Sequence, residues 1–256
     1  MQNFVYGLKP CNPETLKSFY QYKNHPFASR QPKPVLDRRG INFTPDVDGN
    51  NDLPDCTAVQ MANSIKAFST LYAGVGYSTP LISVLTLYAN TVGCPITIEA
   101  IKQTNGAVYA DIVKTACSAG IAVAPQLEAV PDVALLDNSV TQLANATDLY
   151  GCASIGIRLY DKDEQTIASG GLLDADGSDP GTLQGRHMTM TWDYSGFAET
   201  NTWRINLWGV LYPVTLRWIQ ARIDESWAQM WRNLMDPATV AQFADLMAES
   251  QFSWRA

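Results

Sequence analysis

From Thr57 onward Val59, Ala62, Ile65, Ala67 and Phe68 recur at roughly helical spacing, which predicts a largely buried helix running toward Tyr72, with Asp55 placed to cap it. Two further helical segments are expected at "TPLISVLTLYANTV" and "GAVYADIVKTACSAG", the second closed by Gly120. After residue 150 the period shortens to two. "ASIGIRLYD" puts Ile155, Ile157 and Leu159 on one face, and "HMTMTWDYSG" sets Met188, Met190 and Trp192 opposite His187, Thr189 and Thr191. "NTWRINLWG" sets Trp203, Ile205 and Leu207 opposite Arg204, Asn206 and Trp208. A helical half followed by a strand half predicts an α+β protein whose halves meet at a cleft.

The flanks read differently. Residues 1–40 are polar and carry Pro10, Pro13, Pro26, Pro32 and Pro34, so an extended arm is expected there. The main domain spans 41–231, helical over 41–130 and β over 131–231. In 232–256, Asp236 as cap, Pro237 at the first helical position, and Val240, Phe243, Leu246 and Met247 on one face predict a terminal amphipathic helix.

Composition narrows the chemistry. The chain has 256 residues, 46% hydrophobic and 17% charged, enough for a sizeable core. A net charge of -7 argues against nucleic acid or an anionic membrane as partner. No signal peptide or membrane-spanning run is seen, which leads to the expectation of a chain kept in a reducing, cytoplasmic setting. Cys11, Cys56, Cys94, Cys117 and Cys152 are odd in number and scattered, so free thiols are expected. With His25 and His187 as the two histidines, a multi-histidine metal site is excluded, and no metal or cofactor is expected. The Asp-rich loops "DVDGNND" and "DADGSD" read as solvated turns rather than calcium loops.

Cys56 stands at the start of the first helix, where a helix terminus and an imidazolium can make a thiol nucleophilic. His25 lies in the polar arm, whereas His187 lies on a strand that can hold its ring. Asn206, on the next strand, can orient the base in the manner of triads generally. The two follow Cys56 by roughly 130 and 150 residues, the separation found in papain-like enzymes.

At this point the chain resembles a papain-like cysteine peptidase, and within that family the bacterial and viral branch. "NNDLPDCTA" is similar to its nucleophile segment at Leu53, Cys56, Thr57 and Ala58. "GRHMTMTWDYSG" resembles its histidine strand, "NTWRINLWG" its Asn-Ser-Trp-Gly segment, and "YGLKP" its short arm. The resemblance implies a helical left half and an antiparallel β right half, with Cys56 as nucleophile, His187 as base and Asn206 as its orienter. It also implies Asn50 as oxyanion donor, and Gly106 and Trp208 lining the substrate cleft. Asn50 stands where the family has glutamine, Pro54 and Asp55 replace a Gly-Ser pair, Arg186 replaces a glycine and Leu207 a serine. No long segment precedes Cys56, so control by an inhibitory pro-segment is not expected.

Two functions follow. In the first, the chain hydrolyses peptide or protein substrates. In the second, it is a catalytically inactive, virion-associated or similar component of a larger assembly, attached through the arm and the terminal helix.

Overall fold

The helix that begins at Cys56 is buried on nearly every side: each residue from Cys56 to Ile65 is shielded from solvent. Small side chains at Ala58, Ala62 and Ser64 let other elements approach it closely. The computed structural model describes residues 4–24, 28, 30–125 and 127–235. His25 and the terminal helix expected after Asp236 lie outside the described residues.

The arm runs extended into a two-residue strand, β1 (Leu8–Lys9), and then a short helix, α1 (Pro13–Lys17), where Asn12 Oδ1 accepts from the Glu14 N–H at 2.9 Å. Phe19, Tyr22 and Leu36 sink into the core, so this segment is built into the domain rather than lying free of it. The helical half follows as α2 (Cys56–Tyr72), α3 (Leu81–Val92), α4 (Ile98–Lys102) and, after β2 (Ala107–Val108), α5 (Tyr109–Ala119). Gly93 ends α3 in the left-handed region, φ 73°, where glycine carries no Cβ penalty. A small hairpin, β3 (Ile121–Ala124) and β4 (Leu127–Ala129), closes this half.

The second half contains β5 (Asp132–Leu135), α6 (Val140–Tyr150), β6 (Ala153–Tyr160), α7 (Asp161–Ser169), β7 (Leu183–Tyr194), β8 (Thr202–Leu207), β9 (Val210–Thr215), α8 (Leu216–Arg222) and β10 (Ile223–Met230). Among the described residues the main sheet is antiparallel with order β5-β10-β6-β7-β8-β9. The strands read from alternation are present as β6, β7 and β8. Helix α6 escaped that reading because Gln142, Asn145, Thr147 and Asp148 are buried polar residues that break its apolar period. Strand β10 escaped it for the same reason, since Glu225, Ser226 and Gln229 point into the interior.

Buried polar groups must find partners inside the protein, and here they tie the halves together. Gln60 of α2 donates to Ser154 Oγ on β6 at 2.9 Å, and Ser154 donates to Gln229 Oε1 on β10 at 2.7 Å. Gln229 Nε2 in turn donates to Tyr109 OH on α5 at 3.0 Å. These four residues lock the buried helix onto the sheet at a fixed height.

Arg38 makes a second lock. Its buried guanidinium donates to the carbonyls of Gly151, Trp192 and Thr147 at 2.6, 2.8 and 2.7 Å, bridging the end of α6 to β7. Its carbon lies 4.9 Å from the Trp192 ring centroid. Replacing it strands several buried carbonyls, so Arg38→Met is expected to cost about 3 kcal/mol, read from the urea midpoint. A loss under about 1 kcal/mol would contradict this assignment.

Candidate active site

Cys56 is the first residue of α2, and α2 packs against β7. The Met188 backbone N–H points at Cys56 Sγ from 3.4 Å. Since Met188 follows His187 on the same strand, the thiol sits against the stretch of sheet that carries the imidazole. The backbone N–H groups of Thr57 and Gly7 also face the sulfur.

Burial decides the charge state of this pair. Cys56 has no exposed surface and His187 is 1% exposed. Burial pushes the thiol up to about 12, against the opposing pull of the backbone donors, and pushes the imidazole down to about 3. A helix terminus contributes roughly 0.3–1 kcal/mol, up to about 2 in favourable partly buried geometries. Full desolvation shifts a group by up to about 3–5 pH units. Desolvation therefore wins, and both groups are neutral at pH 7 in this arrangement.

Trp208 and Asn206 are organised by one tight turn. Leu207 pairs with Val210, leaving Trp208 and Gly209 as a two-residue hairpin loop with φ of 47° and 82°. Both values are those of the turn that matches sheet twist. Asn206 Oδ1 accepts from the Gly209 N–H at 3.0 Å and so braces the loop. The braced Trp208 ring stacks on His187, centroids 4.5 Å apart and planes 25° from parallel. The Asn206 oxygen thus holds the turn that holds the tryptophan. Among the described residues no hydrogen bond joins it to the imidazole, and His187 Nδ1 has no partner.

Asn50 is buried in the loop ahead of α2. Its N–H donates to the Val47 carbonyl at 2.8 Å, and its Oδ1 has no partner among the described residues. Asp55 stands at the cap position, but its side chain does not cap the helix, which departs from expectation. Its carboxyl is fully buried and, among the described residues, has no partner beyond its own backbone. Burial raises it to about 8, so it is largely protonated at pH 7 and adds little negative charge beside the thiol.

Gly106 has φ 84°, and its neighbour Ala107 donates to the Gly7 carbonyl at 2.8 Å. Residues 4–9 therefore run between the β2 edge and Trp208. Phe4 and Tyr6 pack on Trp208 with centroids 4.6 and 6.0 Å away. The Tyr6 hydroxyl donates to Glu164 on α7. Tyr6 and Gly7 entered the sequence reading only through the short-arm resemblance of "YGLKP", and Glu164 was not singled out.

No protein-family model and no curated protein sequence matches the chain. Solved structures do. Xylellain, a cysteine protease from Xylella fastidiosa, matches with a TM-score of 0.67 over 90% of this chain and 97% of its own, at 14% identity. The fold is papain-like. Procathepsin B S9 from Trypanosoma congolense matches with a TM-score of 0.63 at 12% identity, covering 90% of this chain and 87% of its own. Procathepsin L2 proteinase from the larval midgut of Tenebrio molitor matches with 0.61 at 14% identity, covering 90% and 79%. No helix among the described residues is long and apolar enough to cross a membrane.

Asp55 gives this papain-like core a pH signature. Its folded value, about 8, lies above the ordinary carboxylate value of about 3.9. The folded state then holds a proton that the unfolded chain has lost, so stability is full below about pH 4 and drains away as pH rises toward 8. In urea titrations the D55N variant, which cannot ionise, is expected to lose less stability than wild type between pH 5 and pH 8. Parallel pH profiles would refute the assignment.

Proposed function

We propose that the chain is a cysteine peptidase that hydrolyses peptide bonds in peptide or protein substrates. The carrying observation is the thiol of Cys56 at the head of α2, set against the β7 segment that holds His187 beneath Trp208. When water and substrate enter the cleft, the burial that holds the thiol up and the imidazole down is relieved, and proton transfer from Cys56 to His187 becomes accessible.

Cys56 sulfur then attacks the substrate carbonyl carbon, and the carbonyl oxygen takes the negative charge. The Asn50 side-chain amide and the Cys56 backbone N–H are the donors for that oxygen. The C–N bond breaks as His187 returns its proton to the leaving amine, and water hydrolyses the remaining thioester with His187 again as base. Asn206 acts as a positioning residue, through the turn that keeps Trp208 on the imidazole.

One observation favours a second reading. The Asn206 oxygen is engaged by Gly209 rather than by the imidazole, which suits a chain that keeps the fold as a binding component of a larger assembly. One experiment separates the two: prolonged labelling with a peptidyl epoxide, followed by mapping of the modified cysteine. The peptidase reading expects modification at Cys56 alone, reduced at least a hundredfold in rate by His187→Ala. Slow modification spread evenly over several cysteines would overturn it in favour of the assembly reading.

A further inference from the structure

A groove of about 290 Å³ runs between α3, the end of α5 and the β3–β4 hairpin. Ile82, Thr86 and Asn90 follow one another a turn apart along its α3 wall, which at 1.5 Å per residue is about 12 Å long. Leu87 and Ile121, both buried, form its floor. The facing wall carries only small residues, Ala119, Gly120 and Ala122, and small residues let a helix approach closely. Ile82 stands at the rim 61% exposed, a large branched apolar side chain with most of its surface in water.

The described chain ends on the lip of this groove. Leu234 is buried, and Asn233 Nδ2 donates to the carbonyl of Glu128, a residue that also lines the groove. Beyond Met235 the sequence places Asp236 and Pro237 as a helix start and then Val240, Phe243, Leu246 and Met247 on one helical face. At helical rise that stripe is about 10 Å long, close to the length of the α3 wall. Two extended residues and the first helical turn after Met235 cover about 11 Å. The strands of the hairpin lie about 5 Å apart, so this is enough to cross it.

Isolated helices shorter than about 12–15 residues are marginal in water, so the 237–247 segment needs an apolar surface to hold it. A tether of a few residues presents the chain's own groove at an effective concentration in the mM range, which favours it over the groove of a second copy.

We propose that residues 237–247 form a helix that seats its apolar stripe in the chain's own groove between α3 and the β3–β4 hairpin. The inference is independent of the peptidase reading and bears on its alternative. A terminal helix seated in this way is withdrawn from the attachments that a component of a larger assembly would use. It also ties the chain leaving β10 to the helical half.

The test uses the full chain and measures amide hydrogen exchange over 240–247, at two protein concentrations, in wild type and in two variants that alter opposite walls. Ile82→Asp puts a charge at the rim and Ala122→Arg fills the small-residue wall; both positions are exposed, and unchanged exchange in α2 serves as the check that each variant is folded. Wild type is expected to exchange over 240–247 about tenfold or more slower than a free peptide of the same sequence, equally at both concentrations. Each variant is expected to bring that exchange to the free-peptide rate. Free-peptide rates in wild type would overturn the proposal, as would protection that survives both variants. Protection lost on dilution would also overturn it, in favour of a second copy as the occupant.

Discussion

The head of α2 is held at one height against the sheet, and the candidate site depends on that anchorage. A helix buried along its length has no solvent-facing side to slide on, and the polar chain from Gln60 through Ser154 and Gln229 to Tyr109 removes its remaining freedom. Cys56 is consequently placed by packing rather than by a loop. The Met188 N–H at its sulfur is the local sign of that placement, and the stacking of His187 on Trp208 is its counterpart across the cleft.

The same close packing sets the electrostatics. Cys56, His187 and Asp55 are each pushed toward the neutral form by burial, so the site stores no separated charge while residues 4–9 lie over it. This accounts for how an aspartate can directly precede a candidate nucleophile: a protonated carboxyl exerts little field on the thiol.

Much of the fold was legible because its elements carry strong periods. Val59 to Phe68 marked α2, and the alternations around Ile155, Met190 and Ile205 marked β6, β7 and β8. Helix α6 and strand β10 were hidden because their buried faces are partly polar, with hydrogen bonds standing in for apolar contact. Of the candidate site, Cys56 and His187 were singled out from order and spacing, and Trp208 and Gly106 from resemblance. The capping role expected of Asp55 was not met, since a carboxyl can occupy a cap position without bonding the helix. The short-arm resemblance of "YGLKP" did not extend to how Phe4 to Lys9 pack between β2 and Trp208. That packing depends on close backbone approach at Gly7 and Gly106 and on side chains seated against Gly156 and Gly185, and a pattern of missing side chains declares itself only in three dimensions.

If burial beneath residues 4–9 governs the site, the most direct measurement is the titration of the His187 ring by NMR in the intact chain, with His25 as the internal comparison. The account predicts that His187 stays neutral down to pH 5 or below, held there by burial against an ordinary value of about 6.5. An imidazole that titrates between pH 6 and 7, or remains protonated above pH 7 as the partner of a thiolate, would contradict it.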